Sequence, residues 1–212
     1  MIGDLIKNVN YQGLRDLLFN NPPLAHEGIP FDENNAAEAH PLHRICDGVF
    51  EKQYTDEQAL EMAKIFLKAG ADINGFGLME KQDTPLIAAA SLHADEVALF
   101  YIENGAAIHH AGCHGGTALH WAAWCGRARV VKRLLQEDIA IDQTCADFGG
   151  TPLFWAVHGL KHGGEKNRYE QVECARLLVQ AGADKSIPNK DGSTVLDLLD
   201  ESDIALQNLL QM

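Results

Sequence analysis

Residues 117–123 read TALHWAA, and the pattern returns four more times, as HPLHRIC at 40–46, TPLIAAA at 84–90, TPLFWAV at 151–157 and TVLDLLD at 194–200. The registers are 44, 33, 34 and 43 residues apart, so two units have a bare period and two carry about ten extra residues. Each opening is followed by a second helical segment, IFLKAGADIN (65–74), FYIENGAAIH (100–109), RLLQEDIAID (133–142) and RLLVQAGADK (176–185). Gly70, Gly105 and Gly182 suit a left-handed helix end, and Asp138 stands where the fourth unit would have that glycine. HGGT, FGGT and KDGST place a turn glycine two residues before Thr117, Thr151 and Thr194.

The residues explain why such a unit folds. Threonine at 84, 117, 151 and 194 can cap a helix by accepting from amides that the first turn leaves unbonded. Pro85 and Pro152 fall at the first helical position, where a missing N–H is harmless. Ala88, Ala89, Ala122 and Ala123 allow close approach of neighbouring first helices, and Leu134, Leu135, Leu177 and Leu178 supply apolar surface that one repeat could not bury alone.

These elements, recurring in order, resemble the ankyrin repeat family, whose unit is a β-turn finger followed by two antiparallel helices, the first opening with T-P-L-H-x-A. The resemblance implies an all-α solenoid of stacked helix-turn-helix units, about six repeats with degenerate ends. The approximate units are 1–35, 36–78, 79–111, 112–145, 146–188 and 189–212, in a single domain. Polar interruptions by Lys7, Asn8, Asn10, Gln12, Arg15 and Asp16 at one end, and by Asp200, Glu201, Asp203, Gln207 and Asn208 at the other, suggest caps.

Composition narrows the function. Seventeen basic and thirty acidic residues give a formal charge of -13, which disfavours nucleic acid and anionic lipid and favours neutral or basic protein partners. Five scattered cysteines, Cys46, Cys113, Cys125, Cys145 and Cys174, without a C-x-x-C pair, point to reduced thiols and a cytoplasmic setting. No signal peptide or membrane-length apolar run is visible, and the expected state is a soluble monomer.

The stretch HHAGCHGGTALHWAAWCG (109–126) concentrates metal-binding residue types. His120 occupies the histidine slot of the family signature and is read as structural, and His43 holds the same slot. His109, His110, Cys113 and His114 could ligate zinc in principle, but neighbours in an extended loop point to opposite sides, and the expectation is that no metal or other cofactor is used. No G-x-S-x-G, H-E-x-x-H or glycine-rich phosphate loop is present, so the chain is expected not to be an enzyme.

In the ankyrin family partners usually lie along finger tips and exposed ends of first helices. Transferred by position, this implies partner contacts at Glu80, Lys81, Asp83, Cys113, His114, Asp147 and Phe148 on the fingers, and at Leu92, Trp124, Cys125 and His158 on the helices. Trp121 and Trp155 are expected in the core. Trp124 either anchors a partner or packs on the neighbouring first helix, and Phe148 either tucks onto its neighbour or awaits a partner. The extra residues fall around 47–57 and 158–170, as insertion loops or as a lengthened helix pair; the second carries Lys161, Lys166 and Arg168 against Glu165 and Glu170. The function expected is a protein-interaction module, as an adaptor or as an inhibitor of a basic partner; the alternatives are regulation through the insertions, or metal binding or catalysis by the His/Cys-rich finger.

Overall fold

The computed structural model describes residues 2–31, 37–163, 168–200 and 203–211. Its contacts divide the chain into two compact units, 1–107 and 108–212. Both are helical hairpins joined by turns, the architecture expected from the repeat.

The first unit holds α1 (Ile2–Lys7), α2 (Tyr11–Asn20), α3 (Pro41–Phe50), α4 (Asp56–Lys68), α5 (Pro85–Ser91) and α6 (Asp95–Glu103). A two-residue antiparallel pair, β1 (Ile29–Pro30) with β2 (Glu38–Ala39), precedes α3. Helices α3 and α4 form one hairpin and α5 and α6 the next, with α3 packed on α5 and α4 on α6. Leu42, Ile45, Met62, Phe66, Leu86, Val97 and Tyr101 fill the space between them. Two buried phenols close their own polar ends: the Tyr101 hydroxyl donates to the Leu42 carbonyl at 2.8 Å, and the Tyr54 hydroxyl to that of Ile45 at 3.1 Å.

Capping follows the residue types. Thr84 accepts from the amide of Ile87, and Thr55 with Gln58 forms a reciprocal capping box. Helix α6 starts after Ala94, which has no side-chain acceptor. Its free amides are met instead by Asp56 of the preceding repeat, whose carboxylate accepts from Glu96 N at 2.7 Å and Val97 N at 3.3 Å. One acidic side chain thereby caps a helix and joins two repeats.

The second unit holds α7 (Ala118–Trp124), α8 (Ala128–Leu134), α9 (Pro152–His162), α10 (Arg168–Gln180) and α11 (Ile204–Gln211). Helix α7 packs on both α8 and α9, α10 on α8 and α9, and α11 on α10. Helices α7 and α9 approach closely at Gly159, where an added Cβ would lie 2.5 Å from the Trp124 carbonyl oxygen. Gln171, which is buried, crosses the same seam and donates to that oxygen at 2.8 Å.

One expectation needs correction, and of the two readings of the extra residues the lengthened helix pair is the one observed. Asp138 is not in a left-handed conformation, because α8 already stops at Leu134 and Leu135 caps it with right-handed angles. The extra residues mostly lengthen helices, since α3 and α4 span 10 and 13 residues against 7 and 9 in α5 and α6. Likewise α9 and α10 span 11 and 13 against 7 each in α7 and α8. Of the stretch 158–170, Glu165 and Lys166 lie outside the described residues.

Lys161, near the end of α9, ties down the C-terminal segment through ion pairs to Asp200 at 2.7 Å and to the fully buried carboxylate of Asp203. Burial lowers the lysine's proton affinity, but the bonds to Asp200 and Asp203 outweigh it and the net shift is upward. Removing the cation takes a direct ion pair away from a carboxylate that stays buried. Lys161→Met is therefore expected to cost roughly 2–3 kcal/mol in urea unfolding. A variant within 0.5 kcal/mol of wild type, about the scatter of neutral surface changes, would remove this contact from the stabilising set.

Candidate functional site

The site is built on three successive turns of the second unit. Each is closed by its own backbone bond: Gly112 N to Gly116 O at 3.0 Å, Cys145 N to Gly150 O at 3.0 Å, and Asn189 N to Ser193 O at 2.8 Å. Neighbouring turns are then joined in a ladder, with Asp147 N donating to His114 O at 3.1 Å and Lys190 N to Phe148 O at 2.9 Å. The ladder requires a glycine at 115, where φ is +68° and an added Cβ would sit 2.3 Å from the amide nitrogen of Ala146. Its effect is to fix His114, Phe148 and Asp191 on consecutive fingertips.

Beneath the fingers the openings of α7 and α9 hold the first-helix side chains. His120 is fully buried, and its Nδ1 accepts from Thr117 N at 3.1 Å and lies 2.9 Å from Thr117 Oγ1. The opposite nitrogen, Nε2, then carries the proton and donates to Gly150 O at 3.3 Å, binding the helix start to the next finger. Burial depresses its pKa to about 4, against the opposing pull of bonds to the Gly150 and Gln143 carbonyls. This neutral, fully engaged ring matches the structural role expected for it.

Fingers and helices together enclose a cleft of about 630 Å³. Its walls are His114, Trp121, Trp124, Phe148, Phe154, Trp155 and His158, and its far edge is Asn189, Asp191, Ser193 and Leu198. The rings pack edge to face where the helices meet: Trp121 and Trp155 are 5.2 Å apart at 83°, and Trp124 and Trp155 6.0 Å apart at 73°. Along α9 they lie more nearly parallel, with His158 stacked on Trp124 at 5.1 Å and 28° and on Phe154 at 6.1 Å and 19°. Burial, and then the neighbouring His162, lowers the pKa of His158.

Of the expected contact residues, His114, Trp124, Phe148 and His158 meet in this cleft. Asp147 joins them through its carboxylate, 2.8 Å from His114 Nδ1. Trp124 packs on the neighbouring first helix, as one of its two readings required, yet remains on the cleft wall. Phe148 lies 5.6 Å from the His114 ring and is still 53% exposed. Cys113 and Cys125 are half-buried and do not line the cleft, and burial pushes the Cys125 thiol up to about 11. Glu80, Lys81, Asp83 and Leu92 belong to the first unit, the first three in the turn before α5 and Leu92 at that helix's end.

Sequence reasoning missed several members. Trp121, expected in the core, is half-buried and lines the cleft, whereas Trp155 is 6% exposed as a core residue should be. Phe154, Asn189, Asp191, Ser193 and Leu198 were also absent from the expected set. The available signal was the recurrence itself, since Asn189–Ser193 is the finger following Asp147–Gly150. Among the described residues no three histidine, cysteine, aspartate or glutamate side chains converge on a metal position. No described helix is long and apolar enough to cross a membrane.

Comparison with known proteins agrees with this architecture. The family model described as ankyrin repeats (three copies) matches residues 53–147 and again 100–189. Protein phosphatase 1 regulatory subunit 12A of Mus musculus is 37% identical over 98 residues, which is 46% of this chain and 8% of that protein. Palmitoyltransferase AKR1 of Lachancea kluyveri is 31% identical over 91 residues, 42% of this chain and 11% of its own length. Palmitoyltransferase ZDHHC13 of Mus musculus is 29% identical over 97 residues, covering 46% and 14%. The chain thus spans only a small part of each of these relatives. A repeat legible in five registers, helical hairpins with finger turns and a family match over more than half of its length establish that this chain belongs to the ankyrin repeat family, a protein-interaction fold.

Proposed function

We propose that residues 108–212 bind a neutral or basic partner protein through the aromatic cleft and its fingertips, without catalysis, as an adaptor or as an inhibitor of that partner. The observation that carries this reading is the wall of indole, phenyl and imidazole rings facing a 630 Å³ space on a chain of net charge -13. Large rings are over-represented among residues that dominate binding energy, and a negative field speeds encounter with a basic partner. Ser193 and His158 share the cleft, but no hydrogen bond joins them and His158 is committed to ring stacking, which supports a binding role over hydrolysis. None of the five cysteines forms a disulfide, which supports a reducing, cytoplasmic setting.

The test is selection from a displayed random-peptide library against the wild type, with counter-measurement on Trp124→Ala/Phe148→Ala. Enriched peptides are expected to lose at least about tenfold in affinity for the double variant, the effect of a lost hot-spot contact, while circular dichroism at the assay temperature shows that the variant is still folded. Peptides that bind both proteins equally would place the interaction surface elsewhere. Whether a full-length partner keeps its activity when bound separates adaptor from inhibitor.

A further inference from the structure

We propose that the cleft is a receptor for an arginine side chain presented by the partner. The inference rests on the reading that this cleft holds a partner segment, and it names the group that enters.

Three observations point to a guanidinium. The eleven lining residues include three tryptophans and two phenylalanines and neither a lysine nor an arginine. The faces of these rings carry negative quadrupole potential, which attracts a cation. Lys190 lies on the third finger directly before Asp191, but its ammonium is engaged by the Ala146 carbonyl. Asp191 supplies the charge complement. It is exposed on the cleft edge, and its carboxylate has no hydrogen bond or ion pair among the described residues. Its fingertip is held by backbone amides, with Asn189 Oδ1 accepting from Asp191 N at 3.0 Å and Ser193 N at 2.9 Å, so the carboxylate is placed without being used.

Planarity separates arginine from lysine. Trp124, His158 and Phe154 stack with interplanar angles of 28° and 19°, so a flat group can continue that order. A guanidinium stacks on rings and offers a fork of N–H donors to one carboxylate, whereas an ammonium is compact and strongly hydrated. Phe148, half-exposed above the cleft, is placed to cover the guest. Burial, and then His162, lowers the pKa of His158, which disfavours a positive charge in the stack where the guest would lie.

The chain carries its own reporter, because its three tryptophans, Trp121, Trp124 and Trp155, all line this cleft. The experiment titrates the full chain at low salt with acetyl-Gly-Arg-Gly-amide and with its citrulline and lysine counterparts. It reads tryptophan emission and the three indole N–H resonances. A saturable response is expected for the arginine peptide, with about tenfold weaker binding of the citrulline isostere, which keeps the shape and loses the charge. Asp191→Asn is expected to weaken the arginine peptide about tenfold and to flatten its salt dependence. Equal binding of the citrulline or lysine peptide, or an Asp191→Asn variant identical to wild type, overturns the assignment. Library peptides that need Trp124 and Phe148 but contain no arginine would also overturn it and leave the binding role of the cleft standing. Library peptides indifferent to both rings would remove the two together.

Discussion

Taking the protein from pH 7.5 to pH 5 is expected to remove about 2 kcal/mol of folding stability for each of two buried histidines, His40 and His120. Both are pushed from 6.5 to about 4 in the folded chain, in each case chiefly by burial. His40, in the first unit, also feels His26, and its Nδ1 accepts from Leu42 N at 3.2 Å to cap α3. Between pH 6.5 and 4 the unfolded chain holds protons that the folded chain excludes, so stability is full above that window and falls as acid is added. His43, lowered by burial, acts in the same direction, while Asp56, raised by burial, acts in the opposite one nearer pH 4. Urea titrations at pH 7.5, 6 and 5 measure the slope. His120→Gln should reduce proton uptake on unfolding by about one, whatever its effect on stability at pH 7.5. A wild-type stability that is flat between pH 7 and 5 would contradict the neutral, cap-forming roles given to both rings.

The second large effect is expected at the seam between α7 and α9. A Cβ on residue 159 would meet the Trp124 carbonyl oxygen at 2.5 Å and its Cα at 3.1 Å, both backbone atoms that no rotamer change can move. The two helices must separate, and Gln171 loses its bond to the same carbonyl. Gly159→Val should therefore cost about 3 kcal/mol, an overpacking penalty that lowers the thermal midpoint by roughly 6–12 °C. Because Trp124 rides on the displaced helix, the variant should also shift tryptophan emission in the folded state. Gly159→Ala should fall between the two proteins. An unchanged midpoint for the valine variant would mean that the seam relaxes at no cost.

The repeat and most of its chemistry were legible in the sequence because they depend on near neighbours. Threonine three residues before an amide it caps, proline at a first helical position and paired alanines at a seam act within one turn of chain, and Thr84, Thr151, Pro85 and Ala122 all behave as read. Asp56 was not legible as the cap of α6, since its partners lie 40 and 41 residues away. The cleft was half legible. His114, Trp124, Phe148 and His158 follow from the family's finger and helix positions, but Trp121 points to the wall only because its edge-on contact with Trp155 leaves it part exposed. Asp191 is not legible because the polar interruptions of the last repeat read as a cap, although its finger is a working member of the ladder.

The paired lengthening of α3 with α4, and of α9 with α10, bears on how such a chain can change over generations. In an antiparallel hairpin, residues gained at the tip enter both helices together, so the finger below and the helix ends above it keep their register. Length can then vary after Phe50, in the turn that joins α3 to α4, as a single insertion or deletion without touching a fingertip. A repeat of this kind can drift in height while the surface that meets a partner stays under separate selection.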